Sequence, residues 1–284
     1  MYERSEEANH VTMLGKYELL LSIKLLDYEI KELTQYSKCC CECYALLKEQ
    51  TNKLCSFISD QYNEKLWMLY GHHDDIQEYA RMLRESSMQA VCDMEKYHSF
   101  CLCDHGLTTF DYLSDLSDAV KEEYDRCFIN ETSKVLFIGS GAFPLSALTI
   151  AKETGASVLG IDIDTEAVRM SNKIAKVLGL HGKLQFSNLR ICEIPCFRQI
   201  THVIIASLVP QKKELLDELA TVIHQDTKIV VRYGNGLKSL FNYPMEAVPA
   251  DWRVSRELPP HGRLYDAVLL ESLPVLGVHV PAEK

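Results

Sequence analysis

Gly139-Ser140-Gly141, directly after the apolar run 134–138, are residues that can hold a nucleoside. Glycine has no Cβ, so a ligand can lie against the backbone, and a helix that follows offers its N-terminal amides. Asp162 ends the next apolar run, 21 residues past Gly141. A carboxylate in that position takes a ribose diol, and Asn188, after the third run, falls where an adenine contact is made. A dinucleotide pattern would place a third glycine in this turn to let the helix pack under a pyrophosphate, but Phe143-Pro144 stand there. Two glycines and an acid suit both NAD and S-adenosylmethionine, and a tight turn with no ligand is the plain alternative. The absent third glycine favours S-adenosylmethionine, which has no pyrophosphate.

Cations for ligand carboxylates are available farther on. Arg232 ends the fifth strand-like run, and Lys238 follows in the glycine-containing loop. Each reads as a carboxylate anchor or as half of a surface ion pair. The 11 cysteines include Cys40-x-x-Cys43 and the pair Cys101 and Cys103. Closed zinc sites need two well-spaced pairs, and these lie far apart on helical segments, so they read as incidental thiols with no metal bound.

The elements that must position these residues change character at Asn130. Before it the chain has no proline, and segments such as "YELLLSIKLLDYEIKELTQY" repeat apolar residues every three or four positions. That predicts a helical N-terminal domain over 1–130. After it, short β-branched runs alternate with helical segments: "KVLFIG", "SVLGIDID", "KLQFSN", "HVIIASL", "KIVVRYG", "WRVSREL" and "DAVLLESL". Seven candidate strands with intervening helices predict an α/β, Rossmann-like doubly wound sheet over 131–284, with a late antiparallel strand.

At 284 residues and 47% hydrophobic content, the chain can bury one large core, or one core and a smaller domain. Net charge is −10; residues 1–130 carry 13 Lys/Arg against 24 Asp/Glu, and the remainder is nearly neutral. With no basic stripe, nucleic acid and anionic membrane are poor partners. No apolar run reaches the roughly 18 residues of a spanning helix, and "MYERSEEANH" lacks a signal peptide's apolar region. The expected location is cytoplasmic, which suits reduced cysteines.

Five segments in order resemble the nicotianamine synthase family. "GSGAFPLSALTIA" is similar to its cofactor loop, and "GIDIDTEAVRMSNKIAKVLGL" to its acidic second-strand segment. "HVIIASLVPQKKELLDELATVI" resembles its fourth strand and helix, with Lys213 at a lysine of the pattern. "KIVVRYGNGLKSLFNYP" and "LPPHGRLYDAVLLES" resemble its closing segments. The departures, Lys238 for an arginine and "YGHHDDIQEYA" for a glutamate-rich helix, resemble the bacterial branch that makes opine-type metallophores. The resemblance implies cofactor contacts at Gly139, Ser140, Gly141, Pro144, Asp162, Ile163, Asp164, Asn188, Ala206 and Ser207. It also implies transfer of one aminobutanoate arm of S-adenosylmethionine to the amine of histidine, with methylthioadenosine leaving. A downstream opine dehydrogenase would use the product, and a homodimer is allowed.

Such a transfer needs a base for the acceptor amine and cations for carboxylates. The family's acid and tyrosine from the helical half map onto Asp74, or its neighbour Asp75, and onto Tyr112. Glu78 shares the helical face of Asp74. His72 and His73 stand beside the acid and could meet an imidazole, with His73, Asp75, Arg232 and Lys238 as substrate contacts. Each has a plainer reading as solvated surface, packed residue or ion pair. Three other functions stay open: a nicotianamine synthase using several donor molecules, a methyltransferase, and a non-catalytic metal-binding protein.

Overall fold

The computed structural model describes residues 3–105, 120–195, 197–245, 247–258 and 264–273. The chain opens with α1 (Glu3–Ser37), α2 (Cys43–Ser59), α3 (Gln61–Tyr70) and α4 (Asp74–His105), and residues 120–127 form the described part of α5. Helix α1 buries Leu19, Ile23, Leu26 and Ile30, the four- and three-residue steps of a single stripe. Asp60 starts α3 by accepting the backbone N–H groups of Tyr62 and Asn63, both at 2.9 Å. Contacts of α1 and the residue just past its end with α4 advance together: Lys16 with Asp75, Asp27 with Ser86, Lys38 with Asp93. The two long helices therefore run parallel, and α2 and α3 make the return.

The second half is a seven-stranded sheet. Its strands are β1 (Lys134–Ile138), β2 (Ser157–Ile161), β3 (Leu184–Ser187), β4 (His202–Ile205), β5 (Lys228–Tyr233), β6 (Trp252–Leu258) and β7 (Asp266–Ser272), in the order β3-β2-β1-β4-β5-β7-β6. The pairings among β1 to β5 are parallel, and β7 runs antiparallel between β5 and β6. Strand β4 is buried at all four residues, as expected of a central parallel strand covered on both faces. Helices α6 (Leu145–Thr154), α7 (Thr165–Val177) and α8 (Lys212–Val222) supply that cover.

Three apolar clusters form the core, and two of them cross residue 130. Leu102, Val120 and Tyr124 pack with Phe137, Leu148 and Val230 on one sheet face. Leu237, Leu240 and Phe241, from the turn after β5, complete the helical cluster of Leu19, Ile23, Leu47 and Leu83. The helical half thus lies across the carboxyl ends of the strands and contributes to the packing there. None of the described helices is long and apolar enough to cross a membrane.

Candidate active site

Strand order reverses between β1 and β4, and a ligand site is expected beyond the carboxyl ends of strands at such a point. Gly139 and Gly141 sit there with φ of 77° and 70°, a region that glycine enters without strain. A Cβ on Gly139 would collide with Val209, in the loop after β4, and one on Gly141 would collide with the Glu95 carboxylate of α4. Both glycines therefore make room for the protein's own loop and helix at the mouth of the sheet.

The loop is held from three sides. Asp162 Oδ2 accepts the Gly141 N–H at 2.8 Å, and Oδ1 accepts the Asp164 N–H at 3.0 Å. Ser171 of α7 donates to the Gly141 carbonyl at 2.7 Å. From α4, Ser99 donates to the Ala142 carbonyl at 2.8 Å, and Glu95 accepts the N–H groups of Ala142 at 3.0 Å and Phe143 at 3.5 Å. Pro144 caps α6 without a side-chain hydrogen bond, so Glu95 serves amides that no local side chain reaches. Lys96 pairs with Asp164 at 2.7 Å and Glu166 at 3.1 Å, fastening α4 to the start of α7.

Glu95 is the chemically unusual group of this seam. Burial raises its pKa to about 8, against the two amides that lower it, and the Asp162 carboxylate adds to the rise. Two neighbouring carboxylates without a cation between them suit a ligand that brings positive charge. Each oxygen of Asp162 makes one backbone contact, which leaves lone pairs for a diol. Ser140 Oγ is buried without a partner among the described residues, and Ile163 is 98% exposed beside Asp162. An unused hydroxyl, a carboxylate and a bare apolar side chain at the strand ends fit a nucleoside.

The other expected residues fall in several places. Asn188 is exposed after β3, and Ala206 and Ser207 border the loop after β4. Asp164 is spent on capping α7 and on Lys96. Asp74 and Glu78 are exposed at the start of α4, and Asp74 lies 21 residues, about 32 Å along an ideal helix, from Glu95. Asp75 is paired with Lys16 at 2.9 Å, which lowers its pKa, and His72 and His73 stack on each other at 4.6 Å. The structure does not bring these five to the glycine loop. Tyr112 lies outside the described residues.

The two expected anchors are engaged within the protein. Arg232 is 4% exposed; its Nε and Nη2 hold Glu123, Nη2 at 2.6 Å, and Nη1 donates to Ser146 at 2.9 Å. Lys238 pairs with Asp266. Lys213 is exposed beside Asp217, whereas its neighbour Lys212 is buried. Lys212 Nζ donates to the carbonyls of Ser207 at 3.1 Å, Val209 at 2.6 Å and Tyr243 at 3.2 Å, tying the loop after β4 to the turn after β5. Burial, with Arg84 nearby, lowers its pKa to about 7.

Sequence reasoning passed over Glu95 and Arg84, both on α4. A signal for Glu95 was present: Val91, Cys92, His98 and Ser99, its neighbours at three and four residues, include no partner charge. Two open grooves of the surface lie elsewhere, one between α1 and α2 around Tyr28 and Lys53, the other around Phe197 and His224. Neither is lined by the glycine loop, whose backbone is bonded to Glu95 and Ser99 of α4. Among the described residues no group of three or more His, Cys, Asp or Glu side chains could hold a metal ion.

Comparison with known proteins agrees with this geometry. The model of the nicotianamine synthase protein family matches residues 68–272. An L-histidine 2-aminobutanoyltransferase of Pseudomonas aeruginosa PAO1 is 36% identical over 260 residues, covering 91% of this chain and 98% of that protein. One from Yersinia pestis is 33% identical over 261 residues, covering 91% and 97%. A crystal structure of a mutant of MtNAS in complex with S-adenosylmethionine superimposes with a TM-score of 0.70 at 14% identity, over 87% of this chain and 98% of that one. A second, of MtNAS in complex with MTA and tNA, gives 0.70 over 86% and 97%. Through the family match and these end-to-end relatives, the chain belongs to the nicotianamine synthase family.

Proposed function

We infer that this protein transfers one 2-aminobutanoate group from S-adenosylmethionine to the amine of histidine and releases 5'-methylthioadenosine. The observation that carries the reading is the match over nine-tenths of both chains to relatives named for that reaction. The glycine loop, Asp162 and the buried Glu95 form a site whose charge complements such a donor.

S-adenosylmethionine supplies a sulfonium whose three carbons are all open to attack. The pocket must present the methylene of the aminobutanoate arm, so selection is by alignment. The neutral amine nitrogen forms a bond to that carbon as the carbon–sulfur bond breaks, and the electron pair leaves with sulfur. The new ammonium then gives up one proton. Glu95 is the group we assign to receive it: the positive donor favours its ionised form on binding, and its raised pKa then suits proton uptake from an amine. Asp162 holds the ribose, with Ser140, Ile163 and Asn188 along the nucleoside. Tyr112 stays in the proposal as the tyrosine of the helical half. The product is a substrate for reductive coupling to a 2-oxo acid by a separate dehydrogenase.

One incubation with S-adenosylmethionine and histidine, read by mass spectrometry, tests this. Methylthioadenosine with histidine carrying a single aminobutanoate is the expected result. S-adenosylhomocysteine would sink the reading in favour of methylation, and donor turnover without histidine would indicate nicotianamine-type chemistry.

A further inference from the structure

Arg84 is a partly buried guanidinium that no carboxylate binds among the described residues. It lies on α4, 11 residues before Glu95 and about 16 Å from it along an ideal helix. Its Nη1 donates to the Ser239 carbonyl at 2.7 Å, and its guanidinium carbon stands 5.1 Å from the centre of the Tyr243 ring. Nε is buried and has no acceptor among the described residues. The adjacent acid, Glu85, is exposed and bound to Arg81 at 3.2 Å. Burial lowers the Arg84 pKa, the mark of a cation short of compensation.

A second cation shares the place. Lys212 Nζ stands 5.8 Å from the same Tyr243 ring and reaches only carbonyl oxygens. Tyr243 in turn donates its N–H to the Ser207 carbonyl at 3.0 Å, and its hydroxyl lies 3.7 Å from Met88 sulfur. Arg84 and Lys212 thus meet over one ring at the carboxyl ends of β4 and β5, while Arg232 and Lys238 are already paired with carboxylates. The carboxylates of the site gather three turns away, at Glu95 and Asp162. Along this stretch of α4 the carboxylates lie towards the glycine loop and the two cations towards the turn after β5.

We propose that Arg84 binds the carboxylate of the acceptor amino acid through the Nε–Nη2 edge of its guanidinium, with Lys212 adding positive charge behind it. This rests on the transfer reading above. That edge presents two parallel N–H donors, the geometry of a bidentate carboxylate pair, and Nη1 is already fixed by Ser239. The donor is held at the glycine loop by its ribose and arm. The acceptor is then seated beside the donor arm on the Arg84 side, with its carboxylate at the guanidinium. The pair of charges selects a free amino acid over an amine or an amide.

The test compares histidine with histidinamide, which lacks the carboxylate, as acceptor for the wild type, Arg84→Gln and Arg84→Lys. In the wild type, histidinamide should show a KM roughly ten- to a hundredfold above that of histidine. Arg84→Gln should raise the KM for histidine by a similar factor, leave histidinamide unchanged and leave the KM for S-adenosylmethionine within about twofold, while Arg84→Lys recovers part of the loss. Equal losses on both acceptors, or a loss confined to the donor, would overturn the assignment. Should Arg84→Gln not fold, a wild type indifferent to the acceptor carboxylate overturns it as well. A wild type releasing no methylthioadenosine with histidine defeats the transfer reading itself, a result distinct from any of these.

Discussion

The carboxylate of Glu95 occupies the space that a side chain on Gly141 would fill. The glycine loop and helix α4, 47 residues apart in sequence at Glu95 and Ala142, are fitted to each other before any ligand is considered. Gly141→Ala would meet both this collision and the cost of a non-glycine residue at a φ of 70°. We expect a loss of about 1–3 kcal/mol in stability and a weakened hold on S-adenosylmethionine. Thermal unfolding and calorimetric titration of the donor would show both; unchanged donor affinity would count against the loop as its cradle.

Glu95→Gln keeps the shape and an acceptor oxygen for the Ala142 amide but cannot take a proton. Turnover should fall by about a hundredfold or more, read as methylthioadenosine release, with the fold retained. Asp74→Ala, at an exposed position at the far end of α4, should stay within about twofold of wild type. The reverse pattern would return the base to the start of α4.

The raised pKa of Glu95 has a consequence for stability. Its folded value of about 8 lies above the ordinary 4.5, so between these values the folded state holds a proton that the unfolded chain has released. The stabilisation from this group is complete below pH 4.5 and is lost as pH rises through 8, a change on the order of a few kcal/mol. Urea unfolding of the ligand-free protein across this window should show the loss in wild type and a flatter profile in Glu95→Gln. Donor binding, which favours the ionised form, should release protons at pH 7, and calorimetry in buffers of different ionisation enthalpy would detect them.

Arg232 and Glu123 are both under 5% exposed, and Tyr265 donates its hydroxyl to Glu123 at 3.0 Å. Arg232→Leu would leave Glu123 buried without its cation, which costs about 3–5 kcal/mol. The melting temperature should drop sharply, while any active fraction keeps its KM values. A specific rise in the KM of either substrate would instead make Arg232 a substrate contact.

Much of this was legible in the residues. The change from three- and four-residue periodicity to β-branched runs after Asn130 marked the passage from helices to sheet, and the seven runs became the seven strands. The glycines, Asp162 and five ordered segments led to the cofactor class and the family, because a strand, a turn and a helix in succession are set by local chemistry. The helical half was harder. An acidic helix offers many carboxylates, and only the place where α4 meets the sheet separates Glu95, under the loop, from Asp74 in solvent at the helix start.

The cations show the same division. Arg232 and Lys238 stand at the correct edge of the sheet, yet their partners Glu123 and Asp266 come from 109 residues before and 28 residues after. Arg84 carried no motif. What the sequence determined alone was the order of elements, the turn at Gly139–Gly141 and the family, since these depend on residues close together in the chain. Which acid is buried, which cations are neutralised and which one keeps an unpartnered nitrogen were decided by tertiary packing, because charge is compensated through space and the compensating groups are distant in sequence.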